Sequence, residues 1–408
     1  MREMKDSGID TVGVVPKNWD EVRLKYLCRV QTGDEDTQNA NPDGQYPFYV
    51  RSPIVERCDR YTFDGEGILV AGDGAGAGRI FHHVNGKYAV HQRVYRLSKF
   101  RFNSDFIHYY LSNLFPKEMD KGSAQSTVPS MRLPMLLNFV IFLPSDYEAK
   151  KIVEILDEKC TEIDNLTADI QKQIDTLEQY KKSVITEAVT KGLNPDVEMK
   201  DSGIEWIGEI PKDWETIRIG RLFSMRNERN FKPMEDVQLL SLYTGLGVFP
   251  HGEQEERGNK AVTVEGYKIV KKNDIVVNII LAWMGAIGIS EYEGVTSPAY
   301  DIYIPNLSRV VPHYYHYVFR TSGIAGECYR YGRGIMMMRW RTYSQEFKQI
   351  SVPYPSIEEQ QKIADYLDEK CSEIDSIISD KKKQLETLEQ YKKSLIYEYV
   401  TGKKEVLV

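Results

Sequence analysis

The chain contains one long amphipathic segment twice, and this duplication limits what it can fold into. Leu156-Asp157-Glu158-Lys159-Cys160-Thr161-Glu162-Ile163-Asp164 returns as Leu367-Asp368-Glu369-Lys370-Cys371-Ser372-Glu373-Ile374-Asp375. Thr176-Leu177-Glu178-Gln179-Tyr180-Lys181-Lys182-Ser183 returns unchanged as Thr387 to Ser394, and the offset is 211 residues in both places. A repeat of this kind governs how everything between its copies is arranged. Apolar residues of the first copy fall at Ile152, Leu156, Ile163, Leu166, Ile170, Ile174, Leu177, Val184 and Ala188. Those of the second fall at Ile363, Leu367, Ile374, Ile377, Leu385, Leu388 and Leu395. Such spacings draw a narrow apolar seam with charge on the other faces, the pattern of a coiled coil. No Pro or Gly interrupts either run before Gly192 and Gly402, which stand where C-terminal caps belong. About 42 residues at 1.5 Å each make a rod of roughly 60 Å. A rod with one narrow stripe needs a partner, and the other copy supplies it. The pair is either a plain structural rod or a spacer holding two other things apart.

A second repeat precedes each stretch between the rods. Lys5-Asp6-Ser7-Gly8-Ile9 and Pro16-Lys17-Asn18-Trp19 match Lys200-Asp201-Ser202-Gly203-Ile204 and Pro211-Lys212-Asp213-Trp214 at an offset of 195. The order is therefore leader, globular unit, rod, then the same again, and the second globular unit carries a net 16 extra residues. The fold class is α+β, with strand-rich globular units and two long helices in a pseudo-two-fold internal repeat. The expected divisions are a first unit over 1–147 with its leader at 1–17, and a first helix over 148–192. A second leader and unit follow over 193–356, then a second helix over 357–402 and a tail over 403–408.

Within the first unit, 46–50, 67–71, 79–84 and 88–90 read as strands, with Asn85-Gly86 as a hairpin turn. A helix is expected over 104–114 with Ser104 as its cap, then a polar loop over 121–127 and a closing strand over 139–144. The second unit has the same grammar: a strand at 274–280, a covering helix at 312–320, a polar loop at 329–334 and a closing strand at 350–355. Matched frames around unmatched interiors look like interchangeable readers on a common support.

Net charge is −7, but it is unevenly placed. Residues 1–147 carry 18 basic and 18 acidic side chains and residues 200–356 carry 19 and 18, so the globular units are near neutral and the acidity sits in the rods. Charge alone leaves a nucleic-acid partner open. No stretch is long and apolar enough to span a membrane, and Met1-Arg2-Glu3-Met4-Lys5-Asp6 is not a signal peptide. The five cysteines are widely spaced without CxxC, so reduced thiols in a cytoplasmic protein are expected.

Gly72-Asp73-Gly74-Ala75-Gly76-Ala77-Gly78 follows a strand, but a dinucleotide fingerprint needs a helix next and here another strand follows. A tight turn, or a close backbone approach to a ligand, fits better. The histidines show no metal-ligand spacing. His82 and His83 alternate across a strand, and His91 reads as structural. No catalytic motif is evident, so no catalytic residue and no metal site are expected. For reading DNA, the useful side chains are arginine, lysine and amides in loops, with aromatics beside them. The first unit offers Arg79, Gln92, Arg93, Ser123, Gln125, Ser126 and Arg132. The second offers Arg330, Arg333, Arg339 and Arg341, interleaved with Tyr329, Tyr331, Met336 to Met338 and Trp340.

On these residues the chain resembles the specificity subunits of Type I restriction-modification systems. The resemblance rests on the duplicated leader, on Phe63-Asp64-Gly65-Glu66 through Ala75, on Glu358-Glu359-Gln360-Gln361-Lys362-Ile363, and on the duplicated rod signatures. It implies that each globular unit is a target recognition domain reading one half of a split site in double-stranded DNA. It implies an antiparallel coiled coil that sets the gap and docks two modification (methyltransferase) subunits, which restriction subunits then join. S-adenosylmethionine, ATP and Mg are implied on those partners and not on this chain. One departure stands out: the second unit has Ala282-Trp283-Met284-Gly285-Ala286 where the first has its glycine run. The other reading is a scaffold that displays two protein-binding domains on a coiled coil and ignores DNA.

Overall fold

The structure is a computed structural model, and it describes residues 2–122, 130–244, 246–252, 263–334 and 340–406. The chain forms two compact units, one of residues 1–171 with 382–408 and one of residues 172–381.

In the first unit the leader is a hairpin of β1 (Met4–Asp6) and β2 (Val14–Pro16), with Met4 opposite Pro16. Its turn explains Lys-Asp-Ser-Gly-Ile. The Asp6 carboxylate accepts from the Gly8 N–H at 3.0 Å and the Ser7 hydroxyl from the Ile9 N–H at 3.1 Å, while Gly8 stands at φ +70°. Asp201, Ser202 and Gly203 make the same turn in the second unit, again with glycine at φ +70°. Local side-chain-to-backbone bonds plus a left-handed glycine dictate this turn from sequence alone.

Next come β3 (Asp20–Arg23), β4 (Arg29–Thr32), β5 (Tyr46–Tyr49), β6 (Glu56–Cys58), β7 (Phe63–Asp64), β8 (Gly67–Ala71), β9 (Phe81–Val84), β10 (Lys87–Val90) and β11 (Val94–Ser98). They are followed by α1 (Ser104–Gly122), α2 (Leu133–Leu137), β12 (Val140–Leu143) and the long α3 (Asp146–Lys191). One sheet, antiparallel throughout, has the order β4-β11-β8-β9; a second, mixed because β10 runs parallel to β5, has the order β6-β5-β10-β7, and β12 pairs with β3. Asn85-Gly86 does not close a hairpin, because β9 pairs with β8 whereas β10 leaves for β5 and β7. The turn therefore hands the chain from one sheet to another. The cap of α1 is Asn103, whose side chain accepts from the Phe106 N–H at 2.8 Å; Ser104 instead donates to Glu66. The helix also runs on through Pro116 to Gly122.

The second unit repeats this plan. Its leader strands are β13 (Met199–Asp201) and β14 (Glu209–Pro211), followed by β15 (Glu215–Arg218), β16 (Phe223–Met225), β17 (Leu240–Tyr243), β18 (Gly247–Pro250) and β19 (Lys268–Val270). Then come β20 (Ile275–Asn278), β21 (Ile287–Ile289), β22 (Gly294–Thr296), β23 (Tyr300–Pro305), α4 (Pro312–Val318), α5 (Ser322–Tyr331) and α6 (Ser344–Phe347). The unit ends with β24 (Ser351–Tyr354) and α7 (Ile357–Val400). The sheet β16-β23-β20-β21 answers β4-β11-β8-β9, and β24 pairs with β15 as β12 does with β3. The remaining strands pair differently, as β17-β18 and β19-β22. The stretch over 329–334, expected as loop, is partly helix, since α5 reaches Tyr331.

Both long helices start with a serine N-cap. Ser145 accepts from the Glu148 N–H and Ser356 from the Glu359 N–H, each at 3.2 Å. Each glutamate also receives the indole N–H of its leader tryptophan, Trp19 to Glu148 at 3.3 Å and Trp214 to Glu359 at 2.8 Å. Both tryptophans are buried, and the left-handed glycines ending the helices pack on them: Gly402 on Trp19 in the first unit, Gly192 on Trp214 in the second.

Two seam residues are misassigned by the sequence pattern. Leu166 is 52% exposed and its repeat mate Ile377 is 47% exposed. The heptad passes instead through Cys160, Ile163, Thr167, Ile170 and Ile174 in α3, and through Cys371, Ile374, Ile378, Lys381 and Leu385 in α7. Alternating steps of four and three keep the stripe facing the partner, and Leu166 and Ile377 sit one residue off that phase. The other proposed seam positions, Ile152, Leu156, Leu177, Val184, Ile363, Leu367, Leu388 and Leu395, are buried or half-buried. Lys181 and Lys392 also occupy seam positions. Lys181 reaches Asp375 at 2.6 Å in the second unit and Lys392 reaches Asp164 at 2.6 Å in the first. These are repeat equivalents, so one contact is made twice. A charge in an apolar seam costs stability but specifies register. Lys181→Asp is expected to lower stability by about 0.5–1 kcal/mol, as suits a partly exposed pair, and adding Asp375→Lys should restore it in thermal melts.

Candidate nucleic-acid interface

The described candidate residues of each unit lie near equivalent turns of equivalent sheets. In the first unit that turn is 72–80, joining β8 to β9. Gly78 N–H returns to the Ala71 carbonyl at 2.8 Å, and Gly74 and Gly78 stand at φ +76° and +64°. A Cβ on Gly72 would meet the Arg93 carbonyl at 2.8 Å, and one on Gly76 the Arg51 carbonyl at 2.8 Å. The glycines thus admit the protein's own backbone, and the run is a tight structural turn.

Around it the chain gathers cations. Arg79 closes the turn and pairs with Asp120. Arg93 and Arg51 flank Asp73, at 3.5 and 2.9 Å. Gln92 donates to Asp36 at 2.7 Å. Arg132 is exposed and is brought alongside by its neighbour Met131, whose N–H bonds the Gly72 carbonyl at 2.8 Å. Buried His91 accepts the Arg93 N–H at 3.0 Å, and burial lowers its basicity, so it serves as a neutral brace for this corner. Ser123, Gln125 and Ser126 lie outside the described residues. Arg51 escaped sequence reading because it joins the group only through Asp73.

In the second unit the equivalent turn, between β20 and β21, is built from 279–286, so the Ala282–Ala286 segment occupies the place of the glycine run. It forms a short 3-10 turn over Ala282–Met284 closed by Gly285 at φ +82°. Trp283 leans on Tyr329 at 6.1 Å, and Tyr329 stacks on Trp340 with ring centres 5.1 Å apart. The Trp340 indole N–H is fixed to the Tyr329 carbonyl at 3.0 Å, and Thr342 N–H binds Ile279 at 2.9 Å, tying this strip to the turn. Arg333 and Arg341 exchange backbone bonds at 3.0 Å. Arg333 also pairs with Glu346 at 2.9 Å and lies 5.2 Å over Tyr343; Arg330 pairs with Glu327 at 2.6 Å and lies 4.8 Å over Tyr331. Arg339 and Met336 to Met338 lie outside the described residues. Leu281, Met284, Tyr329 and Tyr343 are exposed here, giving an aromatic and arginine surface rather than a pocket.

Chemically, both surfaces offer exposed guanidinium groups oriented by carboxylates, of which Asp120 is exposed and Asp73, Glu327 and Glu346 are half-buried. Such surface pairs are weak, so a phosphate can compete for the arginine. The second unit adds aromatic faces suited to stacking or sugar contact. Among the described residues no group of His, Cys, Asp and Glu is placed to hold a metal ion, and no helix is long and apolar enough to cross a membrane. The five cysteines are free and buried, and burial raises the thiol of Cys28 to about 12.

The fold is thus two strand-rich units carried on duplicated helices, each with arginines near one turn of its main sheet. A family model described as the Type I restriction modification DNA specificity domain matches residues 16–179. The Type I restriction enzyme EcoDI specificity subunit of Escherichia coli is 23% identical over 74% of this chain; the match spans 64% of that protein's length. The MjaVIII specificity subunit of Methanocaldococcus jannaschii is 26% identical over 95% of this chain and 93% of its own length. A solved chain from a type I R-M system shares the fold, with a TM-score of 0.66 at 13% identity over 95% of this chain and 98% of that one. Along these stretches the chain is similar to Type I restriction-modification specificity subunits.

Proposed function

We propose that this chain is the DNA sequence-specificity subunit of a Type I restriction-modification complex. The recognition domains, 1–147 and 193–356, each read one half of a bipartite, asymmetric site, and the paired helices set the gap between the halves. The observation that carries this reading is the convergence of Arg79, Arg93 and Arg132 on one turn, and of Arg330, Arg333 and Arg341 on its equivalent, with different residues on a common frame. Equal frames with unequal surfaces suit two readers of two sequences. Linking weak readers raises the effective concentration of the second, so modest half-site affinities combine.

Two modification subunits dock on the duplicated outer faces of the helices. Tyr180 and Tyr391 support this, being repeat equivalents that stay 50% and 53% exposed. S-adenosylmethionine, ATP and Mg belong to the partner subunits, restriction subunits join later, and the chain acts in the cytoplasm without catalysis of its own.

The test is binding of the purified chain to duplex DNA across a salt series. Binding at low salt that falls steeply, with a log–log slope of about −0.9 per phosphate contacted, is expected, together with neither cutting nor methylation by the chain alone. A chain that ignores duplex DNA at low salt would instead be a protein-binding scaffold.

A further inference from the structure

The covering helices α1 and α4 have little sequence in common, yet both carry a His-Tyr pair at the place where they meet the duplicated rod. In the first unit the Tyr109 hydroxyl donates to the Asp157 carboxylate at 2.7 Å. In the second the Tyr317 hydroxyl donates to Asp368 at 2.6 Å. Asp157 and Asp368 are repeat equivalents within Leu-Asp-Glu-Lys-Cys. The preceding histidines, His108 and His316, are held low by burial, to about 4 and about 3. His316 accepts from the Arg320 guanidinium at 2.8 Å.

Most of each seat is apolar, with a few further polar ties: the Val311 N–H donates to Gln360 at 2.8 Å, His313 lies 3.7 Å from Asp368, and Asn113 donates to the Lys393 carbonyl at 2.8 Å. Phe106, Ile107 and Tyr110 of α1 bury against the start of α3, and Tyr314, Tyr315 and Val318 of α4 against the start of α7, through contacts that tolerate sliding and rocking. A hydroxyl-to-carboxylate bond is directional and charge-assisted. Placed at the rim of such a seat, it fixes how far along and at what angle the covering helix lies. It explains the aspartate of the duplicated motif, which faces away from the seam.

We propose that Tyr109–Asp157 and Tyr317–Asp368 are positioning pairs that fix the angle of each recognition domain on its helix, so that half-site reading occurs at one gap only. This rests on the specificity-subunit reading. Neither tyrosine need touch DNA. Each acts through the helix that carries its domain, and either domain's surface can differ without disturbing the seat.

The experiment uses the full chain in complex with its modification subunits, and maps methylated sites for wild type, Tyr109→Phe, Tyr317→Phe and the double variant. Phenylalanine keeps the ring packing and removes only the hydroxyl. The expected result is unchanged half-sites with relaxed spacing: sites whose gap differs by one base pair gain methylation, and discrimination between the proper gap and its neighbours falls by about tenfold. Asp157→Asn with Asp368→Asn, which keeps an acceptor, should hold the single gap. If the phenylalanine variants lose methylation evenly, or keep it at the original gap alone, the pairs are merely structural and the proposal is overturned. Each single variant decides the matter for its own half if the double variant does not fold. A wild-type complex that methylates no split motif would overturn the specificity reading itself, which is a separate result.

Discussion

Lengthening both helices by three heptads, after Gln171 in α3 and after Lys381 in α7, is expected to widen the preferred gap by about nine base pairs and leave both half-sites unchanged. Those positions are where the two units divide. Whole heptads preserve the phase that runs through Ile170, Ile174, Ile378 and Lys381. Twenty-one residues add roughly 32 Å at 1.5 Å each, close to one turn of B-DNA at about 34 Å. The half-sites then return to the same face of the duplex. A single heptad adds only about 10 Å, near three base pairs, and turns one half-site about a third of the way round the helix. That variant should methylate poorly at any spacing. Mapping methylated sites in cells carrying each variant checks both expectations, and an altered half-site at the old gap would contradict the spacer role.

Removing the Arg226 guanidinium should unfold the second unit selectively. Arg226 and Asp274 are both buried, and their bond is two-pronged, at 2.7 and 3.0 Å. Asp274 also accepts from the Lys271 N–H at 2.8 Å, which shapes the turn into β20. Arg226→Ala leaves a buried carboxylate short of its main partner, at a cost of about 3–5 kcal/mol. Hydrogen exchange should then lose protection in β16 and β20 and keep it in β8 and β11. Replacing both partners, Arg226→Met with Asp274→Leu, should recover most of the stability, since an apolar pair carries no desolvation cost. Equal protection in Arg226→Ala and wild type would show that the pair is dispensable.

The frame was legible in the sequence because its causes are local or periodic. Gly192 and Gly402 end the helices as the chain pattern indicates, and the leader turns follow from Asp6, Ser7 and Gly8. Along the long helices the buried stripe departs from the apolar pattern at a few positions. Thr167, Lys181 and Lys392 hold seam positions without being apolar, while Leu166 and Ile377 are apolar one residue out of phase and face water. Strand pairing was less legible. Asn85-Gly86 has hairpin chemistry, but β10 finds its partner in β5, far back in the chain, and local turn propensity carries no such information. The candidate surface is legible in the sequence only as a set of residue types. Its geometry, in which Arg93 and Met131, the neighbour of Arg132, meet at Gly72 and Trp283 answers the glycine run, depends on long-range backbone bonds. The positioning tyrosines gave no signal, since Tyr109 and Tyr317 sit in aromatic runs that look like ordinary core.

The most direct measurement is single-base mapping of methylated adenine in a host expressing this chain with its modification subunit, set against a host expressing the modification subunit alone. Two domains that each read half a site require one split motif, two short half-sites around a fixed gap, appearing only with this chain. A complex that assembles and leaves no such motif, or one that marks a single continuous sequence, would contradict the assignment of one half-site to each domain.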